Sequence, residues 1–135
     1  SFTKISKLTQ PIMKSGGSLL TLSFYGSTKV MPNYNVMGVA KAALETSVKY
    51  LSVDLGGKNI RVNAISAGPM RTLAGAAIAN AREVFKYTED NSPLKRNVSL
   101  NELGNSSLYL ISDLSNAVTG EVHYVDSGFN IKGMP

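Results

Sequence analysis

The sequence lacks cysteine and contains one histidine, His123. Without cysteine, disulfides, thiolate metal sites and cysteine nucleophiles are excluded. One histidine is too few for a histidine-rich metal cluster, and a Ser-His-Asp triad would have to use His123. No apolar run approaches the roughly 18 residues of a membrane span. No apolar stretch follows Ser1–Lys4, so we expect no secretory signal peptide.

Charge is sparse, at 17% of residues, with a net charge of +5. Lysine and arginine are scattered from Lys4 to Lys132, and no basic run is interleaved with aromatic residues as in nucleic-acid-binding segments. We therefore expect a solvated surface, with weak attraction of an acidic partner as the alternative. The hydrophobic fraction of 43% is typical of a globular protein. A length of 135 residues corresponds to one domain at most.

Helix-like and strand-like segments alternate along the chain. Helical spacing of apolar residues predicts helices over 2–13, 34–55, 73–88 and 100–113, the second ending at Gly56-Gly57 and the last capped by Ser99 or Asn101. Short apolar runs predict strands over 19–24, 60–66 and 120–126. The glycine-containing segments 15–18 and 55–59 are predicted turns. This order is typical of a parallel, doubly wound α/β sheet.

The carboxyl ends of the three predicted strands carry small or polar residues. These ends are Phe24-Tyr25-Gly26, Ser66-Ala67-Gly68-Pro69 and Asp126-Ser127-Gly128. Ligands in open α/β sheets bind at this edge, so we predict the site there. Asp126 is expected to bond backbone groups of its own turn, and His123 to be a packed or interface residue rather than a catalyst.

Three parallel strands make a thin sheet, and no segment precedes the first strand to pair with its outer edge. An open apolar edge favours aggregation, and parallel sheets need both faces covered. The sequence also begins in a helix-like segment without methionine. We therefore expect residues 1–135 to be a single partial domain, the carboxyl-terminal half of a Rossmann-like fold. A small domain stabilised by oligomerisation is the alternative.

Tyr34 and Lys41 are the candidate catalytic pair. Seven residues are about two helical turns, which predicts both side chains on one helix face. A nearby ammonium lowers a phenol pKa by stabilising phenolate. Such a tyrosine can donate a proton or a hydrogen bond to a developing oxyanion. The spacing alone is weak evidence, because a core tyrosine followed by a solvated lysine gives the same pattern.

Three segments resemble the bacterial enoyl-acyl-carrier-protein reductases, a divergent branch of the short-chain dehydrogenase/reductase superfamily. Residues 32–45 resemble the active-site helix, 61–72 the next strand and cofactor loop, and 120–128 the last strand and turn. The likeness covers essentially the whole chain in order. Most superfamily members carry lysine four residues after the tyrosine, but here that position is Gly38. The longer spacing resembles the enoyl reductase branch.

The resemblance implies reduction of a trans-2-enoyl thioester on acyl carrier protein by NADH, in fatty acid elongation. Tyr34 would hydrogen-bond the enolate oxygen, and Lys41 would bind the nicotinamide ribose. Segment 73–80 would be a mobile lid. The other implied cofactor-binding residues are Ala67, Gly68, Pro69, Met70, Arg71, Thr72, Leu73 and Ala74, and the implied substrate-binding residues are Tyr25, Met37 and Ile78. The family also implies a cytoplasmic homotetramer with no metal, nucleic-acid or membrane partner.

Two positions depart from the family pattern. Phe24 stands where the family has a second functional tyrosine, and Tyr25 is expected to face the opposite side of the strand. Ser127 replaces a glycine, which a serine tolerates if its φ is negative. The family's Gly-rich phosphate loop is also missing, because 15–18 precedes a strand rather than a helix and 55–59 lacks the upstream glycine of a P-loop.

These departures set our expectations for activity. The complete enzyme would reduce enoyl thioesters, whereas the isolated 135-residue chain would have negligible activity because it lacks the nucleotide-binding half. One alternative is a non-catalytic fragment or decayed copy that associates with a full-length partner. Another is a different short-chain dehydrogenase/reductase acting on another carbonyl or enoyl substrate.

Overall fold

The computed structural model describes residues 1–70, 72 and 81–132. Its helices and strands alternate as predicted, with short 3-10 turns in several connections. In chain order the elements are α1 (Phe2–Thr9), β1 (Gly17–Ser23), α2 (Asn35–Gly56), β2 (Ile60–Ala67), α3 (Ala81–Asn91), α4 (Leu100–Ile111) and β3 (Val122–Val125).

The three strands form one parallel sheet in the order β1-β2-β3. Ser23 pairs with Ser66, and Ala67 pairs with Val125, so all three strands end at the same edge. The predicted α/β class with three parallel strands and flanking helices is confirmed. Within the described residues, no strand pairs with the outer edge of β1.

The strand β2 is buried along its whole length and separates two apolar clusters. Alternate residues of a strand face opposite sides of the sheet. One side of β2 therefore packs against α2 and the other against α4. The first cluster contains Ile60, Val62 and Ala64 with Val48 and Leu55, and the second contains Ile65 and Ala67 with Leu103 and Leu110.

Arg61 and Asn63 interrupt the apolar sequence of this buried strand because they bond backbone groups beyond it. The Arg61 guanidinium donates to the carbonyls of Leu110, Ser112 and Val118 at 2.9, 3.0 and 3.2 Å. The last carbonyls of a helix have no partner within the helix. The Asn63 side chain donates to the Val118 carbonyl at 2.9 Å and accepts from the Glu121 amide at 3.1 Å. Both residues therefore fasten the α4–β3 connection to the sheet.

Some helix ends differ from the sequence prediction. Gly57, in the pair predicted to end α2, follows the last helical residue and is right-handed with φ −63°. The left-handed residue of this turn is Asn59, with φ 57°. Ser99, rather than Asn101, caps α4, in a reciprocal capping box with Glu102.

The third predicted helix is observed as α3, which ends at Asn91 instead of residue 88; its predicted part over 73–80 lies outside the described residues. Across 1–70, 72 and 81–132, no helix is both long enough and apolar enough to cross a membrane.

Replacing Arg61 with Met should lower the free energy of unfolding by about 3 kcal/mol, because buried carbonyls lose a charged donor. Urea denaturation measures this loss. The matched control is Lys49→Met on the exposed side of α2, which should change stability by less than about 0.5 kcal/mol. Equal unfolding midpoints for the two variants would contradict the role given to Arg61.

Candidate active site

The turn that follows β1 forms one wall of the candidate site. Phe24 leaves the strand with extended dihedral angles, and residues 25–27 form a 3-10 turn. β1 ends at Ser23, so Phe24 and Tyr25 lie outside the strand whose alternation was expected to place them on opposite faces. Their rings touch edge-on, with centroids 5.0 Å apart.

Tyr34 precedes the first residue of α2 instead of lying within the helix. The chain reverses through Asn33, whose φ of 61° is a conformation that asparagine tolerates better than most residues. Tyr34 then occupies the N-cap position, where its carbonyl accepts from the Gly38 amide at 2.6 Å. The prediction of a helix starting at Tyr34 is wrong by this one residue.

The Tyr34 ring packs edge-on against Phe24, with centroids 5.2 Å apart. Burial raises the pKa of the Tyr34 phenol above its ordinary value. This direction is opposite to the lowering expected from a neighbouring ammonium. Among the described residues, the Tyr34 hydroxyl has no hydrogen-bond partner. The phenol therefore keeps its proton at ordinary pH and is available as a donor.

Two glycines bring the turn and the start of α2 into direct contact. A Cβ at position 38 would lie 2.9 Å from the Gly26 carbonyl oxygen, and a Cβ at position 26 would lie 2.7 Å from the Tyr34 ring. Both distances are below those that real Cβ atoms adopt. No side chain fits at position 38 in this arrangement, so a lysine four residues after Tyr34 is sterically excluded.

The Lys41 ammonium lies at the end of β1. Its Nζ donates to the Leu22 carbonyl at 2.8 Å. Desolvation by burial lowers the pKa of Lys41, and the negative charge of Glu45 opposes that effect. An ammonium has three donors, so the bond to Leu22 leaves donors for a ligand with hydroxyl oxygens.

Glu45 is a polar residue of the site that the sequence reasoning missed. It is buried on α2, one helical turn after Lys41. Its carboxylate accepts hydrogen bonds from the hydroxyls of Ser23 and Ser27. The available signal was its position four residues after Lys41, which places both side chains on one helix face.

The Tyr25 ring contacts Phe24 and also packs edge-on against Phe129. Its hydroxyl donates to Met31 Sδ at 2.6 Å. Burial, with smaller effects of Tyr87 and Asp126, raises the pKa of Tyr25 to about 12. Tyr25 lines a cavity of ≈ 590 Å³ between this turn and α3.

The residues that follow β2 lie at the same edge of the sheet. The Gly68 amide continues the ladder by donating to the Val125 carbonyl at 2.8 Å. A Cβ on Gly68 would lie 2.9 Å from Asp126 Cα, so glycine allows the ends of β2 and β3 to approach closely. Pro69 and Met70 then line a cavity of ≈ 480 Å³.

The remaining predicted site residues are more dispersed. Met37 is half-exposed on the first turns of α2, and Thr72 is partly buried. The predicted cofactor residues Arg71, Leu73 and Ala74, the substrate residue Ile78 and the lid 73–80 lie outside the described residues.

The turn after β3 is organised by Asp126, as predicted. Its carboxylate accepts from the amides of Gly128 and Asn130 at 3.0 and 2.8 Å. Ser127 has φ 59°, so the condition under which a serine was expected to be tolerated, a negative φ, is not met. A left-handed serine costs about 1–2 kcal/mol, which this turn tolerates without glycine. His123 is partly buried in β3 opposite Ile65.

Within the part of the chain that the structure describes, no group of three or more histidine, cysteine or carboxylate side chains is arranged to hold a metal ion.

Comparisons with known proteins match the chain along nearly its whole length. The family model described as enoyl-(acyl carrier protein) reductase matches residues 1–130. The enoyl-(acyl-carrier-protein) reductase (NADH) 2 of Rhizobium meliloti is 62% identical over 135 residues, which are 100% of this chain and 50% of that protein. The chain thus spans about half the length of the curated relatives it matches.

Solved structures agree with these sequence matches. The crystal structure of FabI from Candidatus Liberibacter asiaticus has a TM-score of 0.96 and 59% identity, covering 99% of this chain and 52% of that one. The Anaplasma phagocytophilum reductase, solved in complex with NAD, has a TM-score of 0.94 and 56% identity, covering 98% of this chain and 51% of that one.

Replacing Gly38 with Ala should destabilise the protein by about 1–3 kcal/mol, because the new methyl group must displace the Gly26 carbonyl. The control is Gly104→Ala in α4, where a Cβ meets nothing within 4 Å. That change should raise stability by roughly 0.5–1 kcal/mol through helix propensity. Thermal unfolding compares the two variants, and two stabilising substitutions would refute the close contact at Gly38.

Proposed function

The chain belongs to the enoyl-(acyl carrier protein) reductase family, and we propose that it carries the tyrosine–lysine site of an NADH-dependent reductase of trans-2-enoyl-acyl-carrier-protein. The observation that carries this proposal is that Lys41 bonds the end of β1 and Tyr34 packs on Phe24 directly after it, at the edge where the parallel strands end. The sequence has no Gly-rich loop for the pyrophosphate. The proposal therefore concerns the nicotinamide half of the cofactor and the reacting end of the substrate.

The residues present fit these roles. Lys41 is fixed by the Leu22 carbonyl and keeps donors for the ribose hydroxyls. Residues 67–70 would line the nicotinamide with their backbone groups at the end of β2. Arg71, Thr72, Leu73 and Ala74 would extend this cofactor contact. The substrate acyl chain would contact Tyr25, Met37 and Ile78.

Bound NADH supplies the hydride that adds to C3 of the enoyl thioester. Negative charge then develops on the thioester carbonyl oxygen. Tyr34 would donate a hydrogen bond to that oxygen, which lowers the barrier when the donor is already in place. The burial that raises the Tyr34 pKa supports this role, because the hydroxyl stays protonated and able to donate.

We also propose that the whole protein acts in fatty acid elongation in the cytoplasm, as a homotetramer. Support for association between copies comes from α2, which exposes apolar side chains along its length. These are Val36, Val39, Tyr50 and Val53. Exposed apolar surface of this kind often marks a contact between proteins.

Phe24 favours a second candidate function. It has no hydroxyl at the position of the family's other functional tyrosine, and the Tyr25 hydroxyl is engaged by Met31. If the substrate needs that hydroxyl, the protein is a non-catalytic copy that associates with a complete one. A reductase of the same superfamily with a different carbonyl or enoyl substrate is the other alternative.

The test is an assay of the protein purified from its own cells, with its intact mass and oligomeric state measured in the same preparation. Crotonyl and acetoacetyl thioesters of acyl carrier protein are each supplied with NADH. We expect NADH oxidation with the crotonyl thioester and none with the acetoacetyl thioester. Oxidation with the acetoacetyl thioester instead would indicate another reductase, and no oxidation with either would indicate the non-catalytic copy.

Replacing Tyr34 with Phe should lower kcat by about 10²–10³-fold, the effect of losing one donor to a developing oxyanion. Steady-state kinetics with the crotonyl thioester measures the change. The control is Tyr50→Phe, an exposed residue of the same helix. Unchanged turnover in Tyr34→Phe would remove Tyr34 from the mechanism.

Replacing Lys41 with Met should weaken NADH binding roughly ten- to a hundredfold, because the ribose loses a charged donor. Methionine keeps most of the apolar length of the side chain. Fluorescence titration with NADH measures the dissociation constant, with Lys49→Met as the charge-matched control. Equal affinities in the two variants would rule out the ribose contact.

A further inference from the structure

We propose that Glu45 is a positioning residue of this site: its carboxylate holds the end of β1 and the following turn against α2, which fixes the packing of the Tyr34 ring. The catalytic part of this inference rests on the proposed function. The part that concerns the conformation of residues 22–27 does not.

The carboxylate of Glu45 is buried, and its hydrogen bonds offset the cost of that burial. Glu45 is 8% exposed, and burying a charged group is costly unless its oxygens have partners. Its Oε1 accepts from Ser23, the last residue of β1, and from Ser27, the last residue of the turn, the latter at 2.6 Å. One oxygen therefore ties together the two ends of the segment that contains Phe24, Tyr25 and Gly26.

Lys41 adds a third attachment point to the same segment. Its Nζ bonds the Leu22 carbonyl, immediately before Ser23. Lys41 and Glu45 are one turn apart on α2, and residues at this spacing lie on the same helix face. Two charged side chains of one helix thus hold residues 22–27 at Leu22, Ser23 and Ser27.

The held segment carries the contacts that place Tyr34. Phe24 packs edge-on against the Tyr34 ring, and Gly26 lies directly against that ring and against Gly38. Glu45 acts on Tyr34 through these residues. A displacement of about 1 Å at a reacting group can reduce turnover on the order of 10²-fold. Loss of the Glu45 attachment should therefore affect kcat more than affinity.

Glu45 also acts on Lys41 electrostatically. Burial lowers the pKa of the Lys41 ammonium, and the Glu45 charge raises it. Among the described residues, Glu45 is the charged group that changes the pKa of Lys41. The contact from β1 is the Leu22 carbonyl, which is neutral. Removing the charge of Glu45 should therefore lower the Lys41 pKa and weaken cofactor binding at alkaline pH.

Two substitutions separate the positional and electrostatic effects in the full-length protein. Glu45→Gln keeps an oxygen that accepts from Ser23 and Ser27 but removes the charge. It should move the alkaline limb of kcat/KM for NADH to lower pH, with little change in kcat at neutral pH. Glu45→Ala removes both the accepting oxygen and the charge, and should also lower kcat about ten- to a hundredfold.

Matched controls separate these effects from general destabilisation. Asp54→Asn removes the same charge from an exposed position of α2 and should change neither the pH profile nor kcat. Ser27→Ala should lower kcat without moving the pH profile, and should have no further effect in the Glu45→Ala background, as expected for coupled residues. If Glu45→Ala does not fold, Glu45→Gln and Ser27→Ala decide the proposal.

A readout independent of activity distinguishes failure of this inference from failure of the proposed function. NMR titration of the Lys41 side-chain ammonium should give a lower pKa in Glu45→Gln than in the wild type or in Asp54→Asn. A wild-type protein without reductase activity would refute the proposed function while leaving this titration informative. Identical Lys41 titrations would overturn the electrostatic effect of Glu45, and a Ser27→Ala variant with wild-type kcat in an active enzyme would overturn the positioning role.

Discussion

The burial of β2 on both faces is the constraint on which the rest of the structure depends. Its apolar residues face α2 on one side and α4 on the other. Because β1 and β3 pair with it in parallel, their ends are brought to the same edge. Arg61 and Asn63 then secure the connection to β3 without opening the strand to water. The position of the site follows from this central strand.

The helix α2 combines structural and chemical roles along a single face. Its N-cap presents Tyr34, its first turn brings Gly38 against Gly26, and its next turns carry Lys41 and Glu45. The outer residues of the same helix are exposed and apolar. The helix α2 therefore packs on β2 with one side and orients the polar groups of the site along its first half. Its opposite side offers a contact surface.

Patterns that depend on neighbouring residues were predictable from the sequence, and interactions between distant residues were not. Alternation and spacing predicted the three strands, and Tyr34 and Lys41 were identified from their spacing together with the family resemblance. Glu45 was missed because its partners Ser23 and Ser27 are about twenty residues away, and a helical glutamate is ordinarily solvent-exposed. The partners of Arg61 are about fifty residues away. The positive φ of Ser127 was not predictable from its residue type, because serine rarely adopts this conformation.

The contact between Gly26 and Gly38 also bears on how the tyrosine–lysine spacing can change during evolution. A lysine at position 38 would displace the Gly26 carbonyl, and the Tyr34 ring blocks a side chain at Gly26 itself. A lysine introduced at position 38 would therefore require the turn after β1 to move. Because that turn carries Phe24, its movement would disturb the packing of the Tyr34 ring. Backbone geometry thus constrains the spacing in addition to the chemistry of the side chains.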